Sequence, residues 1–173
     1  MDDLDDQDVE KLWIVEETAI YIPEMSNVVK KFESIFELRI WSCRLKFVER
    51  SKLKVFKRIR VLDFFNNEIE ELPSDAFADL TKLEELKIPN NRMKHLPGDL
   101  FKNLRKLIYF FGEFNQFEEL PEHLFDNTSQ LAVVKMNGNA LQKIFVNFMA
   151  LKNLNNVDFL GSIRRIEYVS NAP

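Results

Sequence analysis

The sequence predicts an α/β solenoid: a curved horseshoe with a parallel β-sheet on its concave face and irregular or short helical segments on its convex side. Three observations predict it. One apolar pattern with a fixed 24-residue period is written four times between Ile59 and Ile144. Asparagine recurs without a slip at Asn67, Asn91, Asn115 and Asn139. A Leu-Pro step at Leu72-Pro73, Leu96-Pro97 and Leu120-Pro121 is followed each time by a phenylalanine, Phe77, Phe101 and Phe125. A period of this size marks a chain of stacked units that share one core.

The chain opens on Met1-Asp2-Asp3-Leu4-Asp5-Asp6, acidic and without an apolar run. Residues 1–8 therefore read as a disordered acidic tail and not as a signal peptide. Residues 9–162 read as about six to seven repeats. In the first, Val9, Leu12, Ile14, Ala19, Ile22 and Pro23 stand where Ile59, Leu62, Phe64, Ile69, Leu72 and Pro73 stand later, with Glu17 in the asparagine place. The second is clearer, with Ile35, Leu38, Ile40, Cys43, Leu45 and Val48. After the four full copies, Phe148, Leu151, Leu154, Val157 and Phe159 continue the pattern one residue short, and Ser162 takes the asparagine place. Residues 163–173 are left as a C-terminal tail or partial cap.

The pattern has a physical logic. Leu62-x-Phe64 alternates apolar with polar, the period of a short strand with one buried face. The sharp turn after it aims backbone groups inward, where they need partners away from water. An asparagine amide, with two donors and a carbonyl acceptor, can bridge neighbouring turns of backbone. Leu-Pro then enforces extended chain, because Pro restricts its predecessor and has no N–H. Phe77, Phe101 and Phe125 fill the wide far side of each coil. No coil buries its own flat faces, so stability comes from neighbours. Gly112 removes one inward side chain, and Phe110, Phe114 and Phe117 are expected to refill that gap.

These residues resemble the leucine-rich repeat family, in its 24-residue form with Leu-Pro and a following Phe that is frequent in extracellular proteins. The phrasing of residues 35–48 looks like the secreted leucine-rich repeat proteins of insects. The resemblance covers roughly residues 9–160. It implies a binding module outside the cell that presents its concave face to a protein or glycan. The cysteine-bearing end caps common in extracellular members are missing, which reads as a fragment or as capping by the two tails. Uncapped ends also invite self-association.

In such a strand register, alternate positions point out of the concave face. They include Trp13, Arg39, Trp41, Asp63, Phe65, Lys87, Tyr109, Phe111, Glu113 and Lys135. Trp41 and Phe65 share a column on adjacent strands, so their rings should touch at the ~4.8 Å strand spacing. Large outward rings are costly in water unless they shield one another or are covered by a ligand, and both readings stand. For Arg39, Asp63 and Lys87 the simpler reading is weak cross-strand pairing.

The structural ladder is expected to comprise Cys43, Asn67, Asn91, Asn115 and Asn139, with Cys43 a buried thiol and not a reactive one. His95 and His123 have no partner at ligand spacing, so neither a metal nor a cofactor is expected. No nucleophile–base pair, Walker loop or GxGxxG is present, which reads as no enzyme. A net charge of −4 gives no reason to expect nucleic acid, and no apolar run is long enough for a membrane span. Residues 1–24 hold nine acids and one base, while residues 30–60 hold eleven bases and three acids, among them the run Lys52, Lys54, Lys57, Arg58, Arg60. That run reads as a solvated convex loop onto which the acidic tail could fold. The single cysteine admits no internal disulfide and leaves a cytoplasmic scaffold or enzyme regulator as the rival to secretion.

Overall fold

A computed structural model of the chain describes residues 9–163. The acidic tail at residues 1–8 and the tail after Ile163 lie outside the described residues. In chain order the strands are β1 Lys11–Val15, β2 Glu37–Trp41, β3 Val61–Asp63, β4 Glu85–Lys87, β5 Tyr109–Phe111, β6 Glu119–Leu120, β7 Val133–Lys135, β8 Lys143–Ile144 and β9 Asn156–Asp158. All but β6 and β8 form one parallel sheet in the order β1-β2-β3-β4-β5-β7-β9. The short β6–β8 ladder forms on a lateral flank. Two short helices, α1 Ser26–Lys31 and α2 Arg50–Leu53, belong to the first two coils.

The register follows the sequence period. Leu38, Leu62, Leu86, Phe110 and Val134 lie opposite one another across successive strands, and the inward column is buried. The fold is a parallel-strand solenoid with few helices, as the repeat pattern predicts. Between Ser74 and Leu80 the chain makes consecutive turns and no helix, closed by Ala76 N to Pro73 O, Ala78 N to Asp75 O and Leu80 N to Phe77 O at 2.9–3.0 Å. These tight i→i+3 turns advance farther per residue than an α-helix. They let Phe77 and Leu80 both reach the core. Phe101, Phe110 and Phe125 form a ring-to-ring spine, with centroids 5.0 Å and 5.7 Å from Phe101.

The asparagine amides bind backward along the stack. Asn91 Oδ1 accepts from Ile69 N at 3.0 Å and its Nδ2 donates to Phe64 O at 2.9 Å, both in the preceding coil. Asn115 and Asn139 repeat this with Met93 N and Ile88 O, then with Phe117 N and Gly112 O. Asn67 Oδ1 accepts from both Cys43 N and Leu45 N, while its Nδ2 donates to Ile40 O at 2.7 Å. Cys43 is buried, with Sγ against Trp41 O at 3.1 Å. At the far end Ser162 Oγ accepts from Asn139 N.

One column escapes the sequence reading. Glu16, Ser42, Asn66, Asn90, Phe114, Gly138 and Gly161 all have positive φ, between 52° and 72°, one in each coil just before the ladder position. This is the corner after each strand, and asparagine and glycine enter that region most readily. Phe114 does not, and its ring cannot fill the Gly112 gap. That gap is closed by Met136, Phe110 and Phe117, whose atoms lie 2.7–3.3 Å from where a Cβ would stand. Phe114 instead is 58% exposed and lies over Gly138.

Candidate functional site

The outward positions of the sheet line up in columns. Trp13, Arg39, Asp63, Lys87, Phe111, Lys135 and Asp158 share one row, and Lys11, Glu37, Val61, Glu85, Tyr109, Val133 and Asn156 the next. They do not form a uniform surface. Two aromatic–ionic groups stand apart on it.

The first is built on β1, β2 and the end of β3. Trp13 and Trp41 stack with centroids 6.1 Å apart, and Trp41 meets Phe65 edge-on at 6.3 Å. The Arg39 guanidinium caps both indoles, 5.0 Å from the Trp13 ring and 4.9 Å from the Trp41 ring. Glu37 organises them from below. Its Oε1 accepts from Trp13 Nε1 at 3.0 Å and pairs with Arg39 Nε, and its Oε2 lies 3.6 Å from Lys11 Nζ. Glu37 is only 4% exposed and Asp63 only 3%, so both carboxylates sit beneath the rings and not in solvent. Burial pushes the Asp63 carboxyl above its ordinary range, against the Phe65 amide, the Trp41 indole and the Lys87 and Arg39 charges. Trp13 remains 54% exposed.

The second group is built on β4, β5 and β7. Tyr109 and Phe111 stack at 6.3 Å, and the ammonium groups of Lys87 and Lys135 lie 5.4 Å and 5.7 Å from the Phe111 ring. Lys87 also pairs with Glu85 at 2.6 Å. Burial raises the Glu113 carboxyl, and the nearby Asp158 adds to that, while Lys135 and Lys87 oppose it.

Among the described residues, the buried side-chain polar atoms without a hydrogen bond are Arg39 Nε, Trp41 Nε1 and Glu113 Oε2, all on this face. Arg39 Nε has its Glu37 ion pair but off the N–H direction. The Trp41 indole faces Asp63 without well-formed hydrogen-bond geometry.

The other candidates lie elsewhere. His95 is exposed on a lateral flank, and His123 Nδ1 contacts Asp126 Oδ2 at 2.9 Å on the surface. Among the described residues no cluster of metal-ligating side chains occurs, and no helix is long and apolar enough to cross a membrane. The basic run is partly neutralised on the convex side, by Lys52–Glu24, Lys57–Asp79 and Arg60–Glu84. Sequence reasoning misplaced Phe114 and missed the exposed Tyr21–Phe47 stack, 4.9 Å between centroids. Its signal was the 26-residue offset that Tyr21 and Phe47 share with the paired Trp13 and Arg39, and the structure joins the two residues by a parallel bridge.

Residues 53–171 match the family model described as the BspA type leucine-rich repeat region, in six copies. The chain belongs to the leucine-rich repeat family. The sheet extends this leucine-rich repeat stack two strands ahead of the matched residues, through β1 and β2. Among curated proteins none matches. Solved structures share the fold. The Toll–Spatzle complex, titled a hub in Drosophila development and innate immunity, aligns with TM-score 0.57 at 17% identity, over 91% of this chain and 28% of its own. The TLR13–ssRNA13 complex aligns with TM-score 0.68 at 19% identity, over 93% of this chain and 26% of its own. The leucine-rich repeat domain of APL1B aligns with TM-score 0.58 at 30% identity, over 64% of this chain and 32% of its own. The chain thus spans less than a third of each. The leucine-rich repeat is a scaffold fold for protein interaction, and two of these structures are complexes, one with Spatzle and one with ssRNA13.

Proposed function

We propose that this chain is a non-enzymatic recognition module that holds a protein partner against its concave face, outside the cell. One observation carries the reading: Trp13, Trp41 and Phe65 form an outward aromatic cluster locked by Arg39 over a buried Glu37. An open sheet face normally carries polar residues, and Trp and Arg are the residues that dominate interface energetics. A guanidinium held between rings is preorganised, so little side-chain entropy is lost on binding. Nine outward positions are assigned to the contact, Trp13, Arg39, Trp41, Phe65, Lys87, Tyr109, Phe111, Glu113 and Lys135, with the buried Asp63 supporting the rings from beneath.

A protein fits better than a polyanion. The face interleaves the cations Lys11, Arg39, Lys87 and Lys135 with the acids Glu37, Asp63, Glu85, Glu113 and Asp158, whereas nucleic-acid grooves are strongly basic. A glycan stacked on Trp13 is the alternative ligand. The insect-like phrasing and the fold shared with Toll support an extracellular setting. An intracellular scaffold would use the same face, and the lone buried Cys43 favours that second reading.

The test is capture of binding proteins from extracellular fluid and from cytosol of the source tissue on immobilised full chain. Trp41→Ala with Phe65→Ala should weaken capture of the same partner by roughly 30-fold or more, as hot-spot loss does. Lys102→Glu with Lys106→Glu on the convex turns should leave it unchanged. The reverse pattern overturns the concave assignment, and capture from cytosol alone overturns the setting.

A further inference from the structure

A second concave feature lies on the convex side, away from the proposed partner face. It is a cleft of about 450 Å³ between α1 and the turn that follows α2. Its floor is apolar, made by Val29, Ile35 and Val55, and its rim carries Lys30, Lys57 and Arg58 against one acid, Glu33. Lys57 reaches Asp79 at 3.7 Å, while Lys30 and Arg58 make no ion pair among the described residues. An apolar trough with a cationic rim selects a ligand that is both acidic and apolar.

The chain itself supplies one at that place. Glu10 O accepts from Phe36 N at 2.9 Å and from Glu37 N at 3.2 Å, which fixes the start of β1 beside Ile35, a floor residue. The first of the described residues therefore stand next to the cleft, and the sequence before them is what could reach it. That sequence reads Met1-Asp2-Asp3-Leu4-Asp5-Asp6-Gln7-Asp8, five aspartates around one leucine. Eight residues of extended chain span up to roughly 26 Å, ample to cross it.

We propose that this cleft is a binding site for an acidic–apolar peptide segment and that residues 1–8 of the same chain occupy it. Leu4 rests on the Val29–Val55 floor, and the flanking aspartates face Lys30, Lys57 and Arg58. The contact straps the first coil to the second and leaves the concave face open. It is electrostatic at the rim, so salt weakens it: the screening length falls from about 10 Å at 0.1 M to about 3 Å at 1 M.

Full-length chain is used throughout the test. Zero-length carbodiimide coupling on an equal mixture of isotopically heavy and light chain should join the N-terminal aspartates to Lys30 and Lys57 within one molecule. Hydrogen exchange of residues 27–35 and 54–58 should become roughly tenfold faster in Leu4→Ser with Asp5→Asn and Asp6→Asn, because an opened contact no longer protects those amides. Lys30→Glu with Arg58→Glu should produce the same acceleration, and 1 M salt a smaller one. Equal exchange in the wild type and both variants overturns the proposal. So do links spread evenly over Lys102, Lys106 and Lys152. Mixed heavy–light links amounting to about half of the total, the share that random pairing of two chains gives, also overturn it by making the occupant a second chain.

Discussion

Replacing single asparagines of the ladder by alanine should cost unequal amounts, and the hydrogen bonds dictate the order. In Asn91→Ala most freed groups keep a partner. Phe64 O still accepts from Asn67 Nδ2 at 3.1 Å, Ile88 O from Asn115 Nδ2 at 2.9 Å, and Pro89 O from Asn66 N at 3.1 Å. Only Ile69 N–H is orphaned. In Asn67→Ala, Cys43 N and Leu45 N both lose their acceptor, and Ile40 O loses its donor. The thiol at Cys43 cannot replace it, since Sγ turns to Trp41 O and Ile14 O. A buried backbone group left unpaired costs about 1–3 kcal/mol, so with one group orphaned Asn91→Ala should lose about 1–3 kcal/mol, and with three Asn67→Ala about 3–9 kcal/mol. Asn103→Ala is the control: its exposed amide makes one bond to Ala78 O, and the change should stay within about 0.5 kcal/mol. The assay is equilibrium urea unfolding followed by circular dichroism and by tryptophan fluorescence, whose coincidence tests cooperativity. Equal losses at Asn67 and Asn91, or losses no larger than at Asn103, would refute the ladder accounting.

Three further outcomes are expected. Gly138→Ala places a Cβ 2.5 Å from the Phe114 ring at a φ of +72°, and should cost about 1–3 kcal/mol by thermal melting. Adding Phe114→Ala should return the steric part and leave roughly 1 kcal/mol for the backbone. Asp63 has its carboxyl pKa raised from 3.8 in the fold by burial, so the folded state holds its proton to higher pH than the unfolded chain. Its contribution to stability therefore falls as pH rises from about 3.8 through the raised value. Asp63→Asn should flatten that slope in urea titrations and raise stability at pH 7. Burial also raises the Cys43 thiol, so an aromatic disulfide reagent should label it only at the rate of unfolding.

Fold and site differed in how far the sequence disclosed them. Periodicity revealed the inward column, because each leucine or phenylalanine there answers one local demand repeated every coil. The outward columns were equally readable as positions, and the Trp41–Phe65 contact follows from register alone. What the rings do beyond that is not periodic. Arg39 settling on two indoles depends on Glu37 lying beneath it, and nothing in the spacing says that Glu37 is buried. Phe114 was misplaced because the corner column had not been recognised. Once Asn66, Asn90 and Gly138 are seen to share left-handed backbone, residue 114 must turn outward with them. The convex segments, residues 74–80 among them, read as irregular or short helical because their apolar spacing suits a helix and i→i+3 turns alike.

The burial of Glu37 bears on why the aromatic cluster persists. A buried ion pair is weak evidence for stability, since desolvation consumes most of its Coulomb gain, and an apolar replacement is often neutral. The ladder and the phenylalanine spine already hold the coils, so the stack has no need of a carboxylate under its open face. What Glu37 does supply is orientation. It fixes the Trp13 indole by one hydrogen bond, places the Arg39 guanidinium over two rings and draws in Lys11. Removing the charge while keeping the shape separates the two roles. Glu37→Gln should leave the unfolding midpoint within about 1 kcal/mol of wild type, because the amide oxygen can still accept from Trp13. It should nonetheless release Arg39 and weaken partner capture about as much as Arg39→Lys does. A carboxylate kept only for stability would give the opposite result, a large loss in unfolding with capture intact.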